Sequence, residues 1–218
     1  MAIAFGAFVV CAAAACAGTT PAGEPSTTPP HTGPDVLTLR AQACERPQPR
    51  NGAAVVVTPE LAATAAHLVE GNLRSLEVDG RPARVVAIDT DGDLALLVLS
   101  AEPTGSTTAT LRSPEPGAAT VITPTARVEA EVVDVVTLRV DNRGDDRVDE
   151  RRSAKLDIDV QPGDSGSALI DEQGRLVGII TLRRPAAGVS YATSAEELAA
   201  LLAATPDDAI LAPDDRCV

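Results

Sequence analysis

Residues 161–169 read Gln161-Pro162-Gly163-Asp164-Ser165-Gly166-Ser167-Ala168-Leu169, a serine held between glycines at the head of an apolar run. Gly163 and Gly166 let the backbone take turn conformations that other side chains resist. A serine in such a turn is, alone, only a turn serine. Its hydroxyl is a weak nucleophile at its own pKa and becomes a strong one only with a base in hydrogen-bond reach. What lies upstream decides whether Ser165 has one.

Two further stretches lie upstream. The apolar run Val55-Val56-Val57-Thr58 leads into Leu61-Ala62-Ala63-Thr64-Ala65-Ala66-His67, where small residues let the histidine sit close against the backbone. Asp91-Gly92-Asp93-Leu94-Ala95-Leu96-Leu97 sets an aspartate at the mouth of another apolar run. His67 precedes Asp93 by 26 residues, and Asp93 precedes Ser165 by 72. Taken singly, Asp93 reads as a strand-edge aspartate and His67 as a buried histidine; their order and company are what point to chemistry. The chain has two histidines, and His31 lies in a Pro/Thr-rich stretch, so His67 is the base available to Ser165.

These three stretches resemble the histidine, aspartate and serine motifs of the chymotrypsin-fold, trypsin-like serine proteases, in that family's order. The likeness spans roughly residues 50–200. It implies a catalytic triad in which His67 takes the Ser165 proton, Asp93 orients the imidazole, and peptide bonds are cut through an acyl-enzyme. It implies an oxyanion hole from the backbone N–H groups of Gly163 and Ser165. Substrates are then proteins or peptides, with no cofactor and no metal. The same resemblance allows two other expectations: an inactive pseudoprotease serving as a cell-surface binding module, and an esterase using the same three residues.

Within the family the chain is most similar to the bacterial HtrA/MarP-type periplasmic branch, through Leu156-Asp157-Ile158-Asp159-Val160 before the serine turn and Gly188-Val189-Ser190-Tyr191-Ala192-Thr193 before the last helix. It departs from that branch at Asp164, where many members carry asparagine, and at Ser167, where many carry glycine. No PDZ domain is read after the helix, and no Ile-Val-Gly-Gly-like segment is present to pair with Asp164. A specificity pocket is expected from Asp159, Thr181 and Arg183. Asp159 lies six residues before Ser165, a position that implies cleavage after Arg or Lys in trypsin-like enzymes. Arg183 or Arg184 could instead neutralise it.

Composition excludes other classes. The formal net charge is −13 with a single lysine, Lys155, so no basic surface exists to displace counterions from a nucleic acid. Aromatic residues make up 1% of the chain against 44% apolar residues, so the core is built from Val, Leu, Ile and Ala. Asp89-Thr90-Asp91-Gly92-Asp93 superficially suits a calcium loop. Leu94 and Ser100 stand where an EF-hand needs glycine and glutamate. No cysteine and histidine spacing suits a metal. No motif sets a subunit number.

The N-terminal 17 residues are uncharged, apolar and small, the pattern of a signal peptide. They lack its opening basic residues, so a start further upstream is expected. Ala13-Ala14-Ala15-Cys16 is similar to a bacterial lipobox, in which Cys16 carries lipid and anchors the protein to a membrane; ordinary cleavage near Ala15 or Ala17 is the other reading. Either route places the protein outside the cytoplasm. Residues 18–43 are expected to form a Pro/Thr-rich tether, and residues 44–218 the protease domain. Cys44 and Cys217 bracket that domain and read as a disulfide in an exported chain, with two free thiols as the alternative.

From Cys44 onward, β-branched runs alternate with turn residues. Segments 53–57, 76–78, 83–89, 94–99, 119–123, 128–140, 156–160, 167–170, 176–182 and 189–192 read as strands. Ser194 and Glu197 form a capping box for one helix ending near Ala203. The fold class expected is all-β: two six-stranded antiparallel β-barrels with a short C-terminal helix.

Overall fold

The structure, a computed structural model, describes residues 33–100, 108–142 and 147–206, with the side chains of 141, 142 and 147 left aside. Twelve strands form two closed antiparallel barrels. The first contains β1 (Val36–Ala43), β2 (Arg50–Val56), β3 (Leu61–Ala65), β4 (Leu73–Val78), β5 (Arg81–Asp89) and β6 (Leu94–Leu99), in the cyclic order β1-β2-β3-β6-β5-β4. The second contains β7 (Gly117–Ile122), β8 (Arg127–Asn142), β9 (Arg147–Leu156), β10 (Ala168–Asp171), β11 (Leu176–Arg184) and β12 (Val189–Ser194), ordered β10-β11-β12-β9-β8-β7. A single helical turn α1 (Ala66–Val69) follows β3, and α2 (Ala195–Ala204) follows β12. The expected fold class is the one observed. Among the described residues no helix is long and apolar enough to cross a membrane.

Strand chemistry explains why the two barrels pack. Ala54, Ala62, Ala95 and Leu97 point into the first barrel with Leu39 and Val78. Their neighbours Val55, Ala63, Leu94 and Leu96 point out of it, onto Ile122, Ala168, Ile170, Leu176 and Ile179 of the second barrel and Leu198 of α2. Strands buried on both faces read as unbroken apolar runs, and β2, β3 and β6 are such strands. Half of the expected capping box is present: Ser194 Oγ accepts a hydrogen bond from Glu197 N at 3.5 Å, whereas Glu197 Oε1 accepts from Arg152 N of β9 at 3.2 Å. Asp79 and Gly80 both have positive φ (52° and 73°), closing the β4–β5 hairpin as its sequence suggests.

Three expectations need correction. The tether does not extend to residue 43: Val36–Ala43 is β1, paired with both β2 and β4, and it closes the first barrel. Leu39, Ala41 and Ala43 are buried in alternation with outward Arg40 and Gln42, a period of two in which the small alanines carry a weak apolar signal. The folded unit therefore begins before Cys44. Leu61–Ala65, absent from the expected strands, is strand β3. The strand expected at 156–160 lies earlier, as β9, whose run RVDERRSAKL is too polar to stand out as a strand. Residues 143–146, between β8 and β9 in the chain, and Cys11, Cys16, His31 and Cys217 lie outside the described residues, as does the whole N-terminal leader. Cys44 is disulfide-bonded.

Candidate active site

Asp93 is the point where the local structures meet. It sits in a left-handed conformation, φ 53°, which a non-glycine residue adopts at a cost and keeps only when its surroundings demand it. Two backbone bonds and one to a side chain make that demand: Asp93 N donates to Thr90 O at 3.3 Å, Ala66 N donates to Asp93 O at 3.1 Å, and Gly92 N donates to the Asp89 carboxylate Oδ1 at 3.1 Å. A Cβ on Gly92 would stand 2.3 Å from Asp89 Oδ2, so the acidic 89–93 stretch is a tight turn closed by its own carboxylate.

The Asp93 carboxylate faces α1. Its Oδ1 accepts from His67 N at 2.9 Å, and the two oxygens lie 3.0 and 2.9 Å from His67 Nδ1. The proton between them belongs on Nδ1 when the imidazole is neutral, which leaves Nε2 as an acceptor. His67 is 41% exposed at its side chain and Asp93 only 12%, so the carboxylate is sheltered while the ring opens to the cleft. The short helix is held from its other end by Arg50, whose Nη1 donates to Glu70 O at 2.8 Å and Leu68 O at 3.2 Å. Burial pushes the Arg50 pKa below its ordinary value, and Arg46 adds to that.

Ser165 is seated by the other barrel and pinned to the first. Its carbonyl accepts from Ala53 N of β2 at 2.8 Å, and Gly166 N donates to Ile180 O of β11 at 2.8 Å. Gly166 has φ 87°, and a Cβ there would lie 2.0 Å from Ala53 O. That carbonyl is itself fixed by the buried Thr64 hydroxyl at 2.6 Å. Glycine at 166 is thus the residue that lets the serine turn approach β2. Gly163 has φ 103°, and the Asp164 carboxylate accepts from Gln161 N at 2.7 Å, closing the turn locally. Among the described residues, neither Gly163 N nor Ser165 N donates a hydrogen bond to the protein.

His67, Asp93 and Ser165 line one cleft of about 360 Å³ between the barrels, together with Thr181, Leu182 and Arg183 of β11 and Val140, Asp149 and Arg151 of the β8–β9 arm. Thr181 is buried and shares a hydrogen bond with Thr193 at 3.1 Å; Thr193 donates to Gly92 O at 2.8 Å, which ties β12 to the Asp93 turn. Asp159 is not a free pocket carboxylate. Arg183 grips it with two bonds, Nε to Oδ1 at 3.1 Å and Nη2 to Oδ2 at 2.9 Å, and that bond to Asp159 raises the Arg183 pKa. Of the two arginines weighed from sequence, Arg183 is the one that neutralises Asp159. No group of three or more His, Cys, Asp or Glu among the described residues is placed to hold a metal ion.

Residues 52–179 match the trypsin-like peptidase domain family. The chain belongs to that family. Its curated relatives include the serine protease Rv3671c of Mycobacterium tuberculosis, 31% identical over 165 residues, covering 68% of this chain and 40% of the relative. The chain therefore spans about 40% of the length of the curated relatives it matches. Among solved structures, the active form of the Rv3671c protease superposes with TM-score 0.69 at 24% identity, covering 81% of this chain and 83% of that one. An HtrA-type protease with a tripeptide superposes with TM-score 0.63 at 20% identity, over 79% of this chain and 60% of that one. These superpositions agree with the two-barrel architecture.

The trypsin-like domain also contains site residues that sequence reading missed. Arg50, Asp149 and Arg151 carry no motif, and Thr64, though it lies in the histidine stretch, has no assigned role there. Asp149-Glu150-Arg151-Arg152 reads as a solvated charge run, yet β9 alternation turns Asp149 and Arg151 inward, 6% and 5% exposed, and Glu150 outward. Only knowledge that the run is a strand, with its period of two, could have separated them.

Proposed function

We propose that this domain is a serine endopeptidase that forms its acyl-enzyme on Ser165. The observation that carries this reading is the His67 ring, held by Asp93 at 2.9–3.0 Å in the same cleft as Ser165. In the reaction, Ser165 Oγ attacks the scissile carbonyl carbon as its proton passes to His67 Nε2. The carbonyl oxygen takes negative charge facing the N–H groups of Gly163 and Ser165, which donate to no acceptor among the described residues. Asp93 stabilises the imidazolium that forms. Collapse of the tetrahedral centre breaks the C–N bond, and the imidazolium gives its proton to the departing amine. Water then repeats the sequence, releasing the new carboxyl terminus and restoring Ser165.

A fluorophosphonate probe tests this directly on the full chain. Stoichiometric labelling is expected for the native protein and none for Ser165→Ala. A folded, oxidised protein that resists the probe would instead fit a binding module built on the same fold. In specificity, we infer an uncharged S1 pocket, because Arg183 neutralises Asp159.

The chain's export follows the same line of inference. The uncharged leader and the disulfide at Cys44 support a protein that matures outside the cytoplasm. Lipidation of Cys16 would add the mass of acyl chains to the mature N-terminus. Intact-mass measurement of natively expressed protein is expected to show a chain trimmed at Cys16 or within a residue or two of it. An untrimmed leader would overturn export.

A further inference from the structure

Among the described residues, Arg151 is the one buried cation beside the triad carboxylate that the reaction as written leaves unused. It is 5% exposed, on β9 of the arm that overhangs the cleft. Its neighbours on that strand face outward and pair at the surface: Glu150 with Arg139 at 2.9 Å, and Arg152 with Glu196 at 2.8 Å. Arg151 instead turns under the Asp93 loop. Its Nη2 lies 3.7 Å from Asp93 Oδ2 and its Nη1 3.5 Å from Asp91 O, while Nε is buried without an acceptor. Burial pushes its pKa down, opposed by the charges of Asp93, Asp149 and Asp89.

Such an arrangement is a poor device for stability. Removing a guanidinium from water is costly, and contacts this long recover little of that cost. What Arg151 does reach is the strained turn itself, at the Asp91 carbonyl and at the Asp93 carboxylate. Asp93 is thereby held from two elements: by His67 N and Nδ1 on α1, and by Arg151 on β9. A carboxylate fixed on one side only could rotate about χ2 and lose its two-oxygen contact with Nδ1. A positive charge beside Oδ2 opposes that rotation.

We propose that Arg151 is a positioning residue, which fixes the Asp93 carboxylate and so holds the His67 ring in its Nδ1–H tautomer. The proposal rests on the triad reading above for its kinetic consequence, but its structural consequence is independent of turnover. It is tested on the full chain with ¹⁵N-labelled histidine, the His67 signals being assigned against a His31→Gln variant. The native ring is expected to show one fixed Nδ1–H tautomer. Arg151→Met should show averaging between tautomers, and Arg151→Lys should keep the fixed one. Where the Met variant fails to fold, Arg151→Gln serves as the neutral, hydrogen-bonding replacement.

In peptide hydrolysis, the neutral variants are expected to lose kcat on the order of 10-fold with KM unchanged, less than the roughly 100-fold that a 1 Å misplacement of reacting groups can cost. Two results would overturn the proposal. One is a native-like tautomer and kcat with only a lowered melting temperature. The other is a raised KM at constant kcat, which would make Arg151 a substrate contact in the cleft. A fixed native tautomer that is lost in Arg151→Met, in a protein that neither hydrolyses peptides nor takes the fluorophosphonate, would defeat the endopeptidase reading and leave this one standing.

Discussion

A carboxylate's role depends on what reaches it. Asp93, Asp159 and Asp164 are three aspartates near one cleft, and each has been taken up differently. Asp93 binds an imidazole, Asp164 closes its own turn through Gln161 N, and Asp159 is held by Arg183. The last pairing makes a prediction. The Asp159–Arg183 contact is a bidentate pair with both side chains about one-third exposed, so it is neither deeply desolvated nor indispensable to the fold. Arg183→Ala would free the Asp159 carboxylate, which now pairs with a residue of the cleft wall, while leaving Ser165 and His67 untouched. Profiling with a peptide library is expected to show cleavage after Arg or Lys rising by roughly 10-fold or more relative to uncharged residues. An unchanged profile would mean that Asp159 does not face the P1 side chain.

At the scale of elements, the short pieces are the ones that could not stand alone. Helix α1 is four residues long, has no side-chain N-cap, and is held by Asp93 and Arg50 from neighbouring segments. Strand β1 supplies two edges at once, pairing with β2 over six positions and with β4 over five. Removing it would open the first barrel, leave those ladders unpaired, and expose the buried Leu39, Ala41 and Ala43 contacts. A chain begun at Cys44 is therefore expected not to fold, whereas one begun at residue 33 is expected to give the cooperative melting of the full protein. Circular dichroism with a thermal melt distinguishes them. A stable, cooperative 44–218 fragment would show that β1 is dispensable to closure.

Across the whole molecule, the cleft exists because each barrel contributes what the other lacks. The first supplies His67 and Asp93 on turns flanking β3 and β6; the second supplies Ser165 ahead of β10. The apolar seam of Val55, Leu94, Leu96, Ile170 and Ile179 sets the relative position of the two halves. Hydrogen bonds then fix the serine turn on both barrels, to Ala53 and to Ile180. With aromatics at 1% of the chain, that seam is made of branched aliphatic side chains and alanines, which pack at short strand separations without rings to fill gaps.

Much of this was legible from the chain alone. The doubly apolar strands and the Ser194 cap are local patterns, set by backbone sterics and the period of two, so the all-β class could be read without coordinates. The family was read from the resemblance of the three motif stretches, whose His67, Asp93 and Ser165 the fold brings to one cleft. The alternating alanines of β1 and the charged run of β9 gave no such signal, because small or polar residues in a strand are told from loop only by what they pack against. The inward turn of Arg151, the clasp of Arg183 on Asp159 and the seating of Ser165 against Ala53 join residues far apart in sequence. Only barrel closure brings them within a hydrogen bond's length, so only the tertiary structure decided them.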